Sequence, residues 1–219
     1  MLIAVDGACK RNGQPTCSSC GVAFIQTDSG DILFKSRFET NSTNQRGEIN
    51  GLYEALLYAT ANAGPDEDII IVTDSEYLHN TVAYDWCFKW RSNNWVGSTG
   101  LVKNSDQWSK ICALLDKLPG RVFMQWTKGH LLPYTLGNIK TAMRADPTGV
   151  DLFMRISAIA NRGSERARII SDFNYQRAKH DKQIVPDEIA LSWVVANTTA
   201  DCIATYVEGI MDELAAHKM

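Results

Sequence analysis

Three carboxylates of this sequence stand where a regular element begins or ends. Asp6 interrupts an apolar run, Glu48 lies in the first turn of an amphipathic segment, and Asp74 follows the apolar run of residues 69–73. Each can have an ordinary structural role: Asp6 can open a turn, Glu48 can complement a helix N-terminus, and Asp74 can cap the helix that starts at Ser75. Taken singly, the structural role is the better explanation of each.

Taken together, the three carboxylates predict a metal site. Carboxylates that converge at one end of a sheet repel one another unless cations are shared between them. Oxygen ligands of this kind, with water molecules retained, are those by which Mg²⁺ is bound. The elements that carry Asp6, Glu48 and Asp74 must then bring them to one place.

Hydrophobic periodicity predicts the elements that position them. Apolar residues spaced as on one helical face predict a helix from Arg46 to Asn62, with Thr43 or Asn44 as its cap. Before it, short β-rich runs separated by Gly, Pro, Asn, Asp and Ser predict three sequential antiparallel strands. Those runs are residues 2–5, 21–26 and 32–39.

Two further strands complete the predicted sheet. Continuous apolar runs at residues 69–73 and 121–126 are typical of strands buried on both faces, and helices between residues 75 and 118 would connect them. The resulting order, βββαβααβ followed by helices, predicts an α/β protein. Its five-stranded mixed sheet would be antiparallel at one edge, parallel in the middle and flanked by helices.

Residues 131–196 do not follow this rhythm, and we expect them to form a mostly helical insertion within a single domain of residues 1–219. Ser164 is the expected cap of one helix, and Pro186 precedes the expected start of another. The segment has a small excess of basic residues. Three roles stay open for it: phosphate contact, a solvated charged face, or a dimer contact. The phosphate contact would come from Arg162, Arg166 and Arg168.

Five motifs of this sequence resemble, in order, those of type 1 ribonuclease H. The resemblance covers residues 1–130 and resumes at residues 197–219. It implies a ribonuclease H-like fold and an endoribonuclease that hydrolyses the RNA strand of RNA/DNA hybrids, leaving 5′-phosphate and 3′-hydroxyl ends. The motifs are Asp6-Gly7-Ala8-Cys9, Thr43-Asn44-Gln45-Arg46-Gly47-Glu48, Thr73-Asp74-Ser75-Glu76-Tyr77, Lys128-Gly129-His130 and Asn197-Thr198-Thr199-Ala200-Asp201.

The resemblance also implies a role for each catalytic residue. Asp6 would bridge two Mg²⁺ ions, for which Mn²⁺ is an alternative. Asp201 would complete the site of the attacking water, while Glu48 and Asp74 would hold the metal at the leaving group. His130 would assist proton transfer or product departure, with a plain surface histidine as the alternative.

Substrate contacts are likewise implied by the resemblance. Glu48, Asn44 and Gln45 would line the minor groove of the hybrid, where the 2′-hydroxyl distinguishes RNA from DNA. The DNA strand would be held by two sets of residues, although a buried Trp90 is a competing interpretation. The first set, at its phosphate, is Asn12, Thr43 and Arg46; the second, flanking its channel, is Trp90 and Asn104.

The sequence departs from the usual pattern of the family at three places. Gln45 replaces a common Asn, Glu76 replaces a common Gln, and residues 91–94 are less basic than in many members. We expect Glu76 to face solvent. The weaker positive charge predicts a modest affinity for hybrid.

Composition sets the remaining expectations. The chain has 45% hydrophobic and 21% charged residues, a formal net charge of −3, and no apolar run near the roughly 18 residues of a membrane helix. Its six scattered cysteines are typical of reduced thiols, and the start of the chain has no secretory signal. Cys17 and Cys20 lack a second pair at zinc spacing, so we expect loop thiols. We therefore expect a cytoplasmic monomer that does not bind membranes.

Two other functions stay open. One is a nuclease of the same fold with another substrate, such as a junction resolvase or an exonuclease, since the carboxylate cluster serves many phosphodiester reactions. The 43–48 motif and Lys128-Gly129-His130 favour ribonuclease H over it. The other is a non-catalytic module that binds hybrids or proteins, against which the spacing of Asn197 and Asp201 argues.

Overall fold

Five strands form one mixed sheet in the computed structural model, which describes residues 1–12, 14 and 17–216. The sheet has the strand order β3-β2-β1-β4-β7, with antiparallel pairing among the first three strands and parallel pairing of β4 with both β1 and β7. The predicted mixed sheet is confirmed. The strands are β1 (Leu2–Lys10), β2 (Ser18–Gln26), β3 (Ile32–Thr40), β4 (Asp68–Thr73), β5 (Val96–Gly97), β6 (Gly100–Leu101) and β7 (Arg121–Trp126).

Eight helices are described around this sheet. The predicted element order is wrong between β4 and β7, where three helices and the small β5–β6 hairpin replace the two expected helices. Strands of two residues are too short to leave a periodic signal in a sequence. The helices are α1 (Asn44–Asn62), α2 (Glu76–Ala83), α3 (Trp86–Ser92), α4 (Ser105–Leu115), α5 (Leu136–Ala145), α6 (Val150–Ala160), α7 (Gly163–Lys179) and α8 (Asp187–Ala216).

Glycines bring α1 unusually close to the sheet. A Cβ atom on Gly7 would lie 2.4 Å from the backbone nitrogen of Glu48, and one on Gly21 would lie 2.2 Å from the carbonyl oxygen of Gly47. A Cβ on Gly51 would lie 2.9 Å from the carbonyl oxygen of Asp6. Real Cβ atoms do not approach backbone this closely, so only glycine permits the contact. Glu48 is thereby brought next to β1.

The alternation of side chains along β1 divides the core in two. Ile3 and Val5 pack with α1 and α4 on one face, whereas Ala4 packs with α8 on the other. Full burial of an aliphatic side chain such as Ile3 contributes about 1.5–3 kcal/mol. Asp6 continues the series of Ala4, so its side chain is directed towards the face covered by α8.

Residues 131–196 contain α5, α6, α7 and the first part of α8. They pack directly on the sheet, because Leu152 and Phe173 belong to the same buried cluster as Val22 in β2. The rings of Phe24 and Phe153 stack with centroids 5.4 Å apart. This segment therefore completes one of the two cores.

The first residues of α7 and α8 test the helix starts that the sequence predicted in this segment. Ser164 is not a cap, because α7 begins at Gly163 after Arg162, which makes no side-chain capping bond. The predicted start after Pro186 is confirmed, since α8 begins at Asp187 and the Ala190 N–H donates to the Pro186 carbonyl. One helix therefore runs from the end of this segment to beyond Asp201.

Candidate active site

Asp6 lies within β1 and is almost fully buried. Its Oδ1 accepts a hydrogen bond of 2.6 Å from the backbone N–H of Gly7. Burial raises the pKa of Asp6 well above its ordinary value, and the charges of Asp74, Asp201 and Glu48 raise it further. A carboxylate among carboxylates, held away from water, requires positive charge in order to ionise.

Glu48 is held at both of its carboxylate oxygens. Asn44, one helical turn earlier on α1, donates to Oε1 at 3.0 Å, and the Ser75 hydroxyl donates to Oε2 at 2.6 Å. Burial and the charge of Asp74 raise the pKa of Glu48, while the bonds from Ser75 and Asn44 oppose the rise. Thr43 caps α1 by accepting from the Arg46 N–H, as predicted.

Asp74 follows directly after β4. Its carbonyl oxygen accepts a bond of 3.0 Å from the indole Nε1 of Trp126, the last residue of β7. Burial and the charge of Asp201 raise the pKa of the Asp74 side chain, while His130 and Lys128 lower it. The ends of the two parallel strands thus fix where Asp74 stands.

Asp201 approaches the other three carboxylates from α8, on the opposite side of the sheet from α1. Burial raises its pKa, and His130 and a hydrogen bond with Asp6 counteract this. Nδ1 of His130 lies 3.4 Å from Oδ2 of Asp201, and the imidazole is 79% exposed. His130 has a left-handed backbone conformation with φ of 59°. The exposed ring therefore stands at the rim of the carboxylate cluster.

Four elements thus bring Asp6, Glu48, Asp74 and Asp201 into one electrostatic neighbourhood. Within the part of the chain that the structure describes, no three His, Cys, Asp or Glu side chains already form a cage for a metal ion. The donor set itself fits a hard divalent cation, since it consists of carboxylate oxygens whose charges are desolvated and mutually repulsive.

The residues predicted to contact the substrate near α1 cluster at its N-terminus. The side-chain oxygen of Asn12 accepts from the Asn44 N–H at 3.4 Å, so the loop after β1 touches this helix start. Arg46 is engaged by two carboxylates, with Nη2 at 2.8 Å from Glu39 and 3.0 Å from Asp106. The bond from Arg46 lowers the pKa of Asp106.

Trp90 and Asn104 lie further along the same surface. Trp90 is half-buried, with its ring centroid 6.2 Å from that of Trp108, so it is not the fully buried residue of the competing interpretation. It lines a groove of about 370 Å³ together with Gln45 and the β5–β6 hairpin. Asn104 is the residue preceding α4 and has a left-handed φ of 59°.

Two functional neighbours were missed by sequence reasoning. Ser75 lies in the recognised 73–77 motif, yet its bond to Glu48 had no signal beyond that motif. Arg177 on α7, to which the sequence analysis gives no role, is 3% exposed and donates to the carbonyl oxygen of Trp126. Only the folded position of α7 reveals this contact.

Glu76 and the cysteine pair differ in detail from expectation. Glu76 is exposed as predicted, and its Oε1 also lies 2.9 Å from Nδ1 of His180 at the end of α7. The six cysteines are free thiols. Cys17 precedes β2, whereas Cys20 lies within that strand and is buried, so the prediction of a loop thiol is wrong for Cys20.

Comparison with known proteins points to one family. The sequence model described as RNase H matches residues 1–146. A ribonuclease H of Actinobacillus succinogenes is 34% identical over 129 residues, covering 58% of this chain and 77% of that protein. A ribonuclease H of Rickettsia massiliae is 33% identical over 156 residues, covering 69% of this chain and 94% of that protein.

Among the solved structures that match is that of LC9-RNase H1, described as a type 1 RNase H with the type 2 active-site motif. It superposes with a TM-score of 0.47 at 21% sequence identity, covering 76% of this chain and 84% of that one.

Proposed function

The chain belongs to the RNase H family, and we propose that it hydrolyses the RNA strand of RNA/DNA hybrids with two divalent cations. The observation that carries this proposal is the convergence of Asp6, Glu48, Asp74 and Asp201 from β1, α1, the end of β4 and α8. Asp6 is buried and the other three are partly buried, and desolvation raises the pKa of each above its ordinary value. Such a site gains most from bound cations.

Asp6 would be shared by two Mg²⁺ ions, with Asp201 completing one site and Glu48 and Asp74 the other. Mn²⁺ would be an alternative ion. When bound, two such ions supply activation of water and stabilisation of charge on the phosphate and on the leaving oxygen.

The chain's own groups keep the carboxylates in place. The Gly7 N–H fixes Oδ1 of Asp6, while Asn44 and Ser75 each fix one oxygen of Glu48. These bonds restrict rotation before substrate arrives, which lowers the cost of reaching a productive geometry. The burial of Asp6 also keeps bulk water from that carboxylate.

His130 is the group suited to proton movement. Its Nδ1 lies 3.4 Å from Asp201, and its exposed ring borders both the cluster and solvent. A histidine so placed can carry a proton between the reacting oxygens and water, a contribution typically worth about 10²–10⁴-fold in rate. The contact supports a role in proton transfer or product departure over that of a plain surface histidine.

The hybrid would lie across the N-terminus of α1. Asn44 and Gln45 would meet its minor groove beside Glu48, and Asn12 and Thr43 would meet a DNA phosphate. Arg46 would join them only by sharing its guanidinium with Glu39 and Asp106. That competition supports a modest affinity for hybrid. The groove that Gln45 and Trp90 line would receive the DNA strand, with Asn104 at the start of α4.

We also propose that residues 131–196 are an insertion in a single domain of residues 1–219. The shared core of α5–α7 with the sheet supports a single domain. Ion pairs of Arg166 with Glu188 and of Arg168 with Glu165 favour a charged structural face over phosphate contact. Within the described residues, no helix has the length and apolar character needed to cross a membrane. A cytoplasmic monomer with reduced thiols remains the proposal.

Cleavage of a labelled RNA/DNA hybrid with Mg²⁺ or Mn²⁺ tests the proposed function. Single-stranded RNA, duplex RNA and duplex DNA serve as parallel substrates, and EDTA as the metal-free control. We expect cleavage of the hybrid alone, with 5′-phosphate and 3′-hydroxyl ends. Preference for duplex DNA would indicate a nuclease of other specificity, and hybrid binding without cleavage would indicate a non-catalytic module.

A further inference from the structure

The loop between β7 and α5 carries two residues of the candidate site. Its Gly129 lies against the carboxylate of Asp74, and its His130 lies beside Asp201. The loop starts with a bond from the Thr127 N–H to the Thr73 carbonyl. The contacts that hold the rest of this loop determine the position of His130, because an exposed loop without tertiary contacts opens easily.

Arg177 of α7 holds the first end of this loop. Its Nη1 donates to the carbonyl oxygen of Trp126, and its Nε donates to that of Gln183 at 2.7 Å. The guanidinium also lies over two aromatic rings, 5.5 Å from the centroid of Phe173 and 5.3 Å from that of Trp193. Planar donors and ring contacts on a buried cation define a single orientation.

Trp126 connects the Arg177 contact to the candidate site. Its indole Nε1 donates to the Asp74 carbonyl oxygen, and its ring centroid lies 4.6 Å from that of His180, which follows α7. His180 in turn pairs with Glu76 at the start of α2. His180 at the end of α7 thus contacts Trp126, which donates to the Asp74 carbonyl, and Glu76, which lies two residues after Asp74.

Arg168 of α7 holds the second end of the loop. Its Nη2 donates to the carbonyl oxygen of Leu131 at 2.9 Å. The same guanidinium is paired with Glu165 and with Asp172, three residues before and four after it on the helix. The two carboxylates orient the head group towards the loop.

We propose that α7 is a clamp on the 126–131 loop, in which Arg168 and Arg177 are positioning residues for His130. This proposal rests on the proposed function of His130, because the clamp would fix the distance between the His130 ring and Asp201. The contacts of both arginines with the loop are to backbone carbonyl oxygens, so each would act through the loop backbone. A misplacement of about 1 Å at such a group can cost up to about 10² in rate.

Arg168→Ala is the variant of choice, because the side chain is 43% exposed and its loss leaves the core intact. Arg155→Ala is the matched control: Arg155 is 50% exposed and pairs with Asp151 four residues earlier on α6. Hydrogen exchange of the Thr127 amide, which donates to the Thr73 carbonyl oxygen at the start of the loop, reports on the clamp. We expect exchange at least about fivefold faster in Arg168→Ala than in Arg155→Ala or the unsubstituted chain. Equal rates would overturn the clamp.

Hybrid cleavage then tests whether the clamp acts through His130. We expect Arg168→Ala to lower kcat about threefold to tenfold with KM for hybrid unchanged, and to have no further effect in a His130→Ala background. An equal loss of kcat in both backgrounds, or a change in KM alone, would overturn the assignment. An unchanged kcat in His130→Ala would contradict the proposed role of His130, and the exchange rates would still decide whether the clamp exists.

Trp126→Phe offers a second variant that keeps an aromatic ring beside His180 but removes the bond to Asp74. We expect it to lower kcat and to speed exchange of the Thr127 amide, as Arg168→Ala does. Faster exchange in Arg168→Ala but not in Trp126→Phe would restrict the clamp to the backbone contacts of the two arginines and overturn the part assigned to the Trp126 indole.

Discussion

Gly129 stands so close to Asp74 that a Cβ atom on it would lie 2.0 Å from Oδ2 of the carboxylate. We expect Gly129→Ala to push this carboxylate away from Asp6 and Asp201 and to lower kcat about tenfold to a hundredfold. The carboxylate is the movable partner, so stability should change by no more than about 1 kcal/mol.

Gly137→Ala is the matched control for this substitution, because nothing lies within 4 Å of a Cβ built on Gly137 in the first turn of α5. It should leave kcat unchanged and keep or raise stability. Steady-state kinetics and thermal unfolding of the two variants, run together, make the comparison. Equal activity of the two variants would contradict the steric account.

Asp74→Asn should remove activity and yet stabilise the metal-free protein. Burial and Asp201 raise the pKa of Asp74, so its ionised form is disfavoured in the fold. An uncharged isostere relieves this repulsion by on the order of 1 kcal/mol, while it removes a ligand on which about 10²-fold or more of the rate depends. Thermal unfolding in EDTA and hybrid cleavage in Mg²⁺ measure the two effects. Near-normal cleavage by this variant would contradict the proposed site.

The stability of the metal-free protein should fall as pH rises through the raised pKa values of the cluster. Burial raises the pKa of Asp6, and likewise those of Glu48, Asp74 and Asp201. A carboxyl whose folded pKa is raised contributes stability that is present below its unfolded pKa and is lost above the folded value.

Added Mg²⁺ should offset that loss, because the ion binds the ionised form. The difference in Tm between samples with Mg²⁺ and with EDTA should therefore widen as pH rises above the ordinary range of a carboxyl group. A difference that does not depend on pH would argue against metal binding at these four side chains.

Asp106→Asn should tighten the binding of hybrid. Arg46 is shared between Glu39 and Asp106, and removal of one negative charge leaves the guanidinium freer to meet a phosphate. We expect a lower KM and a steeper dependence of binding on salt concentration, with kcat unchanged. Asp68→Asn, which frees Arg121 instead, is the control with the same change in net charge. Equal effects of the two substitutions on hybrid binding would mean that the change in net charge alone is responsible.

The sequence predicted those parts of the site that repeat a local pattern. Thr43 as the cap of α1 and Asp74 at the end of β4 both follow from short-range rules, and both are observed. The bond from Ser75 to Glu48 joins residues from two elements, and no periodicity reports such a pairing. The burial of Arg177 could not be predicted for the same reason: a basic residue on a polar helix is expected to be solvated until the packing of that helix is known.

Two glycines inside strands are a second feature of the sequence from which part of the site could have been predicted. Gly7 and Gly21 lie opposite each other in the β1–β2 ladder, and both face the backbone of α1. Loop punctuation explains glycines at turns, whereas these lie inside strands, where close approach of another backbone is the usual cause. Read in that way, they would have predicted that Glu48 lies close to Asp6.

The unbroken course of α8 has a consequence for how this chain can be shortened or can unfold. Residues 187–196 pack with the added helices and Asp201 follows in the same helix, at about 100° of rotation and about 1.5 Å of rise per residue. Excision of residues 131–196 would remove almost three turns and the partners of that end. We therefore expect α5–α7 and Asp201 to unfold as one cooperative unit.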